Sequence, residues 1–138
     1  MAAPLIVDYL TLAASKRASL SQKIPSTWLL PTSLTSPITS TSITSVLSVP
    51  RNSGLLSEYE LDLTENYDAT GLVDMMSSGK VKSVDVVGAF CKRAAIAQQC
   101  VNCLTEIMFE QAMARARECD EYLAKAGRPM GPLHGLPI

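Results

Sequence analysis

Gly131-Pro132-Leu133-His134-Gly135-Leu136-Pro137-Ile138 closes the chain, and the reading of every earlier segment depends on it. Two glycines and two prolines within these eight residues stop any helix that runs into them. The stretch therefore reads as a helix-to-strand connection, with Gly131 and Gly135 taking backbone angles that other residues avoid. Leu136, Pro137 and Ile138 look like the opening of a buried strand, and a strand needs several more residues to pair usefully. The expectation is that residues belonging after Ile138 are missing, and that the organised part of the chain begins well upstream of this turn.

Moving outward, Phe109, Ala112, Met113, Ala116, Cys119 and Leu123 recur at helical spacing. Glu121 and Lys125 form a favourably ordered i,i+4 pair, and Gly127 with Pro129 ends the run, so a helix is expected from about Phe109 to Lys125. Val101 to Met108 breaks this rhythm. Its alternation, with β-branched Val101, Thr105 and Ile107, predicts a short strand or an extended crossing. Before it, Ser83 is expected to cap a helix with Asp85 in the first turn, where a negative charge meets the positive end of the helix dipole. Val84, Val87, Cys91, Ala94 and Gln98, with Phe90 beside them, would be its buried stripe. A shorter helix is expected from an Asp68 cap through Leu72, Val73, Met75 and Met76 to Gly79.

The first half divides into a helical arm, residues 1–31, and a Ser/Thr-rich linker, residues 32–57, ahead of an organised part at 58–138. In the arm, Leu5, Tyr9, Leu12 and Ala13 share one helix face, Lys16, Arg17 and Lys23 lie further along, and Pro25 ends the helix. The basic, hydroxyl-rich start also has the composition of an organelle address, against which Asp8 counts. From Thr32 to Ser48 hydroxyl side chains compete for backbone hydrogen bonds and little can be buried, so an extended, mobile segment is expected. Arg51-Asn52-Ser53-Gly54 then makes a turn.

Composition sets the outer bounds. Of 138 residues, 47% are hydrophobic and 18% charged, which places the chain in the globular range. A net charge of -1 gives no pull toward nucleic acid or an anionic membrane, and no apolar run reaches spanning length. No secretory leader is apparent, so Cys91, Cys100, Cys103 and Cys119 are expected as free thiols and the location as cytoplasmic.

Three sets of residues invite a chemical reading. Cys100-Val101-Asn102-Cys103, with Cys91, Cys119 and His134, lacks the second close pair that a structural zinc site presents, so the cysteines read as small hydrophobes. Ser77-Ser78-Gly79-Lys80 matches a Ser-x-x-Lys pattern, yet Gly79 breaks the turn between serine and lysine, which favours an exposed helix end. His134, the only histidine, has no Ser, Cys or carboxylate near it in sequence to complete a relay and reads as a turn residue. No phosphate loop or dinucleotide fingerprint appears, so no cofactor is expected.

Four stretches in fixed order carry a more specific signal. They are Ala89-Phe90-Cys91-Lys92-Arg93-Ala94-Ala95-Ile96-Ala97, then Asn102-Cys103-Leu104-Thr105-Glu106-Ile107, then Ala114-Arg115-Ala116 with Asp120-Glu121-Tyr122-Leu123, and the closing octapeptide. Together they closely resemble the amidase signature family, and most of all its fungal acetamidase branch. The similarity extends back through Gly54-Leu55-Leu56-Ser57 and Glu60 to Thr64, and more weakly to Lys23-Ile24-Pro25-Ser26-Thr27-Trp28.

The resemblance implies an α/β parent fold, a mixed central sheet flanked by helices, of which this chain is the N-terminal portion, mostly α with one or two short strands. It implies hydrolysis of a small carboxylic amide through a Ser, cis-Ser, Lys triad. The family's lysine follows the Pro-Ile that here is Pro137-Ile138, and both serines come later, so no catalytic, cofactor-binding or metal residue carries over. His134, Gly135 and Pro137 correspond to the approach to the lysine strand, where they would set backbone direction. Cys100 stands where a bulky aliphatic residue is expected, and the Ser/Thr tract at 32–48 is more extended than is usual in the family. The expectation is an inactive portion of an amidase; the alternative is a non-catalytic helical module that pairs with a full-length paralogue or with itself.

Overall fold

The computed structural model describes residues 8–39 and 41–138, so Leu5 of the expected N-terminal face lies outside the described residues. Among these the chain forms seven α-helices, joined by irregular segments and one 3-10 turn at Ser26–Trp28, and no strand. They are α1 (Tyr9–Gln22), α2 (Thr32–Thr35), α3 (Val49–Asn52), α4 (Glu58–Glu65), α5 (Ala69–Ser77), α6 (Ser83–Val101) and α7 (Phe109–Ala126).

Everything packs around α6. Helices α3, α4 and α7 and the 3-10 turn all lie against it. The expected stripe along α6 accounts for one of its faces only, since Val86, Ala89, Ala95 and Ile96 are buried as well. Ala89 and Ala95 explain how this is possible: a methyl side chain lets a neighbouring segment approach closely, so several partners share one helix. On one side Ile96 and Cys100 meet Val49, Leu56 and Leu61. Elsewhere Ala95 meets Leu20, Ile24 and Ile107, and Val86 meets Leu63, Leu72 and Met76. Val87 and Cys91 pack on Ala116 of α7. Each fully buried aliphatic side chain contributes about 1.5–3 kcal/mol relative to exposure.

Several helix ends follow local sequence. Asp68 Oδ1 accepts from the Gly71 N–H at 2.7 Å, and Gly79, at φ 71°, closes α5 with its N–H on Met76 O at 3.0 Å and the Lys80 N–H on Met75 O at 2.9 Å. Helix α4 opens with a reciprocal cap: the Glu60 N–H donates to Ser57 Oγ at 3.2 Å and the Ser57 N–H to Glu60 Oε2 at 2.9 Å.

Other expectations are corrected. Ser83 is the first residue of α6 rather than its cap, and its N–H donates to Asp120 Oδ1 at 2.7 Å, while the Val84 N–H donates to Asp120 Oδ2 at 3.1 Å. A carboxylate at the positive end of the helix outcompetes a hydroxyl, although it comes from 37 residues away. Of the two readings of Val101 to Met108, the strand does not form, and residues 102–108 cross as an irregular segment. Val101 is the last residue of α6, Asn102 turns into the left-handed region at φ 49°, and the Gln98 side chain takes over the backbone's needs. Gln98 Oε1 accepts from the Leu104 N–H at 2.7 Å, and Nε2 donates to Asn102 Oδ1 at 2.8 Å. With no neighbouring strand to pair, β-branched residues alone cannot impose a ladder. The same holds at Leu136 to Ile138, which form no strand.

The hydroxyl-rich stretch is not simply extended. It carries α2 and α3, and its scattered apolar residues anchor it: Val49 is buried, with Leu34, Ile38 and Val46 packed beside the same cluster. The arm is anchored similarly. Gln99 Oε1 accepts from the Leu30 N–H at 2.8 Å, its Nε2 donates to Trp28 O at 2.9 Å, and Trp28 meets Phe109 edge to face at 5.5 Å.

Two carboxylates on α4 link stability to pH. Burial works to raise the Glu60 carboxyl, but hydrogen bonds from the Lys92 ammonium, at 2.6 Å, and from Ser57 outweigh it and hold the group below the usual range. Hydrogen bonds from Arg93 and then from Arg51 lower Glu65 in the same direction. A depressed folded-state value means stability that is complete above the unfolded carboxylate value, about 4.3, and is lost as pH falls through the folded one. The urea midpoint should therefore drop below about pH 4, and Glu60→Gln should flatten that drop while leaving Arg93 and Glu65 in place. Parallel pH profiles for the two proteins would count against it.

Candidate functional site

After α7 the chain is turned by Gly127, at φ 64°, and then by the closing octapeptide, where the His134 N–H donates to Gly131 O at 3.2 Å and the Leu136 N–H to Leu133 O at 3.2 Å. Gly135, at φ 74°, presses this turn against the start of α6. A Cβ there would overlap Ser83 Oγ and come within 2.8 Å of Ser83 Cβ and 2.9 Å of Met76 Sδ. The turn, α6, α7 and residues 104–108 enclose an open cavity of about 880 Å³. Its walls are mostly apolar, with Val87, Phe90 and Ala94 from α6 and Phe109 and Ala112 from α7.

Polar groups at the cavity are engaged elsewhere, with one exception. Glu106 pairs with Lys16 and lies 3.7 Å from Lys23, and the Lys16 ammonium holds its carboxyl below the usual range. Arg115 pairs with Glu118 at 2.8 Å and donates to Met130 Sδ at 3.1 Å. His134 is the exception: it is only 2% exposed, Nδ1 accepts from the Met130 N–H at 3.2 Å, and Nε2 is buried with no partner among the described residues. An imidazole whose Nδ1 accepts carries a hydrogen on Nε2, so Nε2 of His134 is a donor while the lone pair of Nδ1 is taken up by the Met130 N–H.

The remaining candidates from the sequence lie apart. Cys91 and Cys119 are buried beside the cavity, Cys100 is buried in the cluster with Val49, and Cys103 is exposed. Burial raises the Cys91 thiol above its usual value, and burial followed by the Cys103 charge raises Cys100, so neither is an activated thiolate. Among the described residues no three His, Cys, Asp or Glu side chains gather to hold a metal. Ser78 Oγ donates to Met75 O at 3.1 Å, and Lys80 is exposed beyond Gly79, so the Ser-x-x-Lys stretch is the end of α5. Sequence reasoning set Gln98 only in the buried stripe of α6 and gave no packing role to Asp120 or Gln99; apart from Ala95 O, which Gln99 reaches within the helix, the partners of Asp120 and Gln99 lie 36 to 71 residues away, a distance at which spacing carries no signal.

Residues 85–138 match the family model described as Amidase. The whole fold superposes on a solved structure of fatty acid amide hydrolase with a TM-score of 0.77 at 28% identity, covering 93% of this chain and 22% of that one. Helices wrapped around α6 and closed by the glycine-proline turn thus match a portion of amidase-signature proteins, the helical part of an α/β fold. Within that class the chain is acetamidase-like. It is 50% identical over 127 residues to "Acetamidase" of Emericella nidulans, covering 92% of this chain and 22% of that protein. It is also 48% identical over 132 residues to "Amidase" of Gibberella moniliformis, covering 96% of this chain and 25% of that protein. The chain therefore spans about a quarter of the length of the curated relatives it matches.

Proposed function

We propose that this chain is the N-terminal helical part of an acetamidase-like enzyme that hydrolyses a small carboxylic amide to carboxylate and ammonia, and that the 138 residues by themselves do not catalyse the reaction. The observation that carries this reading is the 50% identity to an acetamidase over 92% of the chain. Inactivity rests on chemistry. Cleaving an amide requires a nucleophile, a base matched to it and an oxyanion site. The one Ser-x-x-Lys stretch is split by Gly79, and the one histidine offers a donor where a base is required. In the longer protein these helices would hold the sheet that carries the Ser, cis-Ser, Lys set. A cytoplasmic location goes with this reading; no described helix is long and apolar enough to cross a membrane.

The purified 138-residue chain is expected to release no ammonia from acetamide above the buffer rate. Turnover that a serine-directed phosphonate abolishes would overturn the inactive reading.

A further inference from the structure

Lys16-Arg17-Ala18-Ser19-Leu20 sets two cations three and two residues before a serine, and an apolar residue directly after it. Serine kinases with an acidic substrate cleft choose their targets by such a pattern, the cations meeting carboxylates and the apolar residue a small pocket. Arg17 and Ser19 are both exposed on α1 and take no part in its packing. The helix is lightly held, since Leu20 is its one buried residue while Tyr9, Leu10 and Leu12 stay exposed. A segment with so few buried apolar contacts opens locally at low cost. Opening matters here, because in the docked arm Lys16 is engaged by Glu106 and Leu20 packs with Ile24, Ala95 and Ile107. The full pattern is presented only when the end of α1 lifts away.

Lys16 lies three residues before Ser19 and Lys23 four after it, so the three neighbour one another along one side of the chain. Both ammonium groups serve Glu106 on the crossing after α6, Lys16 in a direct ion pair and Lys23 at 3.7 Å. A phosphoserine carries a charge of about -1.5 to -2 at neutral pH and outcompetes a single carboxylate for the two lysines. It would also stand in the last turn of α1, at the negative end of the helix dipole, where a negative charge is unfavourable.

We infer that Ser19 is a phosphorylation site for a basic-directed serine kinase, and that its phosphate draws Lys16 and Lys23 away from Glu106 and loosens α1 from the rest of the fold. In the transfer step Ser19 Oγ attacks the γ-phosphorus of ATP, the bond from that phosphorus to the β–γ bridging oxygen breaks, ADP departs, and the hydroxyl proton passes to the kinase's carboxylate base. Since Leu20 leaves its pocket to admit the kinase and the phosphate disfavours its return, the modification holds open the state that it requires. No amide substrate takes part, so the site stands or falls apart from the acetamidase-like reading.

The test uses the 138-residue chain, magnesium ATP and, as probe, the catalytic subunit of cyclic AMP-dependent protein kinase. Peptide mass spectrometry is expected to place a phosphoryl group on Ser19. Arg17→Gln should slow incorporation by about tenfold, and Ser19→Ala, a change that an exposed helix position tolerates, should abolish it. In the phosphorylated chain, amide exchange across α1 should quicken by about tenfold, equivalent to about 1.4 kcal/mol, with α6 and α7 unchanged. Glu106→Gln should quicken α1 exchange by itself, and phosphorylation should then add less than it adds to wild type. The inference falls if the intact chain takes up no phosphate, if the phosphate lies in the Ser/Thr tract at 32–48 instead, or if α1 exchanges at the same rate before and after. It falls equally if phosphorylation acts as strongly on Glu106→Gln as on wild type, because the two lysines would then have no part in the release.

Discussion

Gly135→Ala is expected to destabilise the chain by roughly 3 kcal/mol, the sum of a left-handed backbone that an alanine resists and a methyl group with nowhere to go. Gly135 sits at φ 74°, and the new Cβ would meet Ser83, which is fully buried, and Met76, which is 1% exposed. Neither can swing into solvent, so the turn itself has to move away from α6. Gly131→Ala provides the contrast, because no atom lies within 4 Å of its Cβ position and its φ is not positive; that change should stay within about 0.5 kcal/mol. Urea denaturation with equal m-values measures both. Equal midpoints for the two variants would show that the octapeptide is not pressed against α6.

Asp120→Ala should cost about 2–3 kcal/mol, because it strips the acceptor from two N–H groups at the start of the central helix and removes a negative charge from its positive end. The two bonds measure 2.7 Å from Ser83 and 3.1 Å from Val84. Asp120→Asn keeps one oxygen and loses the charge, so it should recover part of the deficit. The reverse order of the two midpoints, with alanine the more stable, would mean that α6 is capped by other groups and that Asp120 is incidental.

What could be read from sequence follows how far each interaction reaches along the chain. The ends of α5 were legible because Asp68 and Gly79 act on residues three or four positions away, and the Glu121 to Lys125 pair, at 3.6 Å, is local in the same sense. The Ser57 and Glu60 cap has a legible spacing too, three residues apart. The segment after Val101 misled because its alternation is a property of side chains, whereas its course is set by Gln98 closing the helix end and by Ile107 finding a pocket beside Leu20, Ile24 and Ala95. Val49 misled in the opposite direction: hydroxyl-rich surroundings hid one apolar residue whose partners, Leu61 and Ile96, come from later helices. The family was recognisable because its motifs are ordered stretches. The cavity was not, since it exists only where α6, α7 and the last residues meet, and the free Nε2 of His134 is a fact of burial.

The two hydrogen bonds that tie Gln99 to Trp28 and Leu30 bear on how this protein can be trimmed for expression. Dividing the arm from the rest at residue 31 looks natural on composition, but a version starting at Thr32 would lose the tryptophan that covers Phe109 and leave the Gln99 amide to solvent. It would also bare the side of Ala95 that Leu20 and Ile24 cover. Purification tags are best joined ahead of α1, and any shortened version that begins after it invites aggregation through that uncovered side.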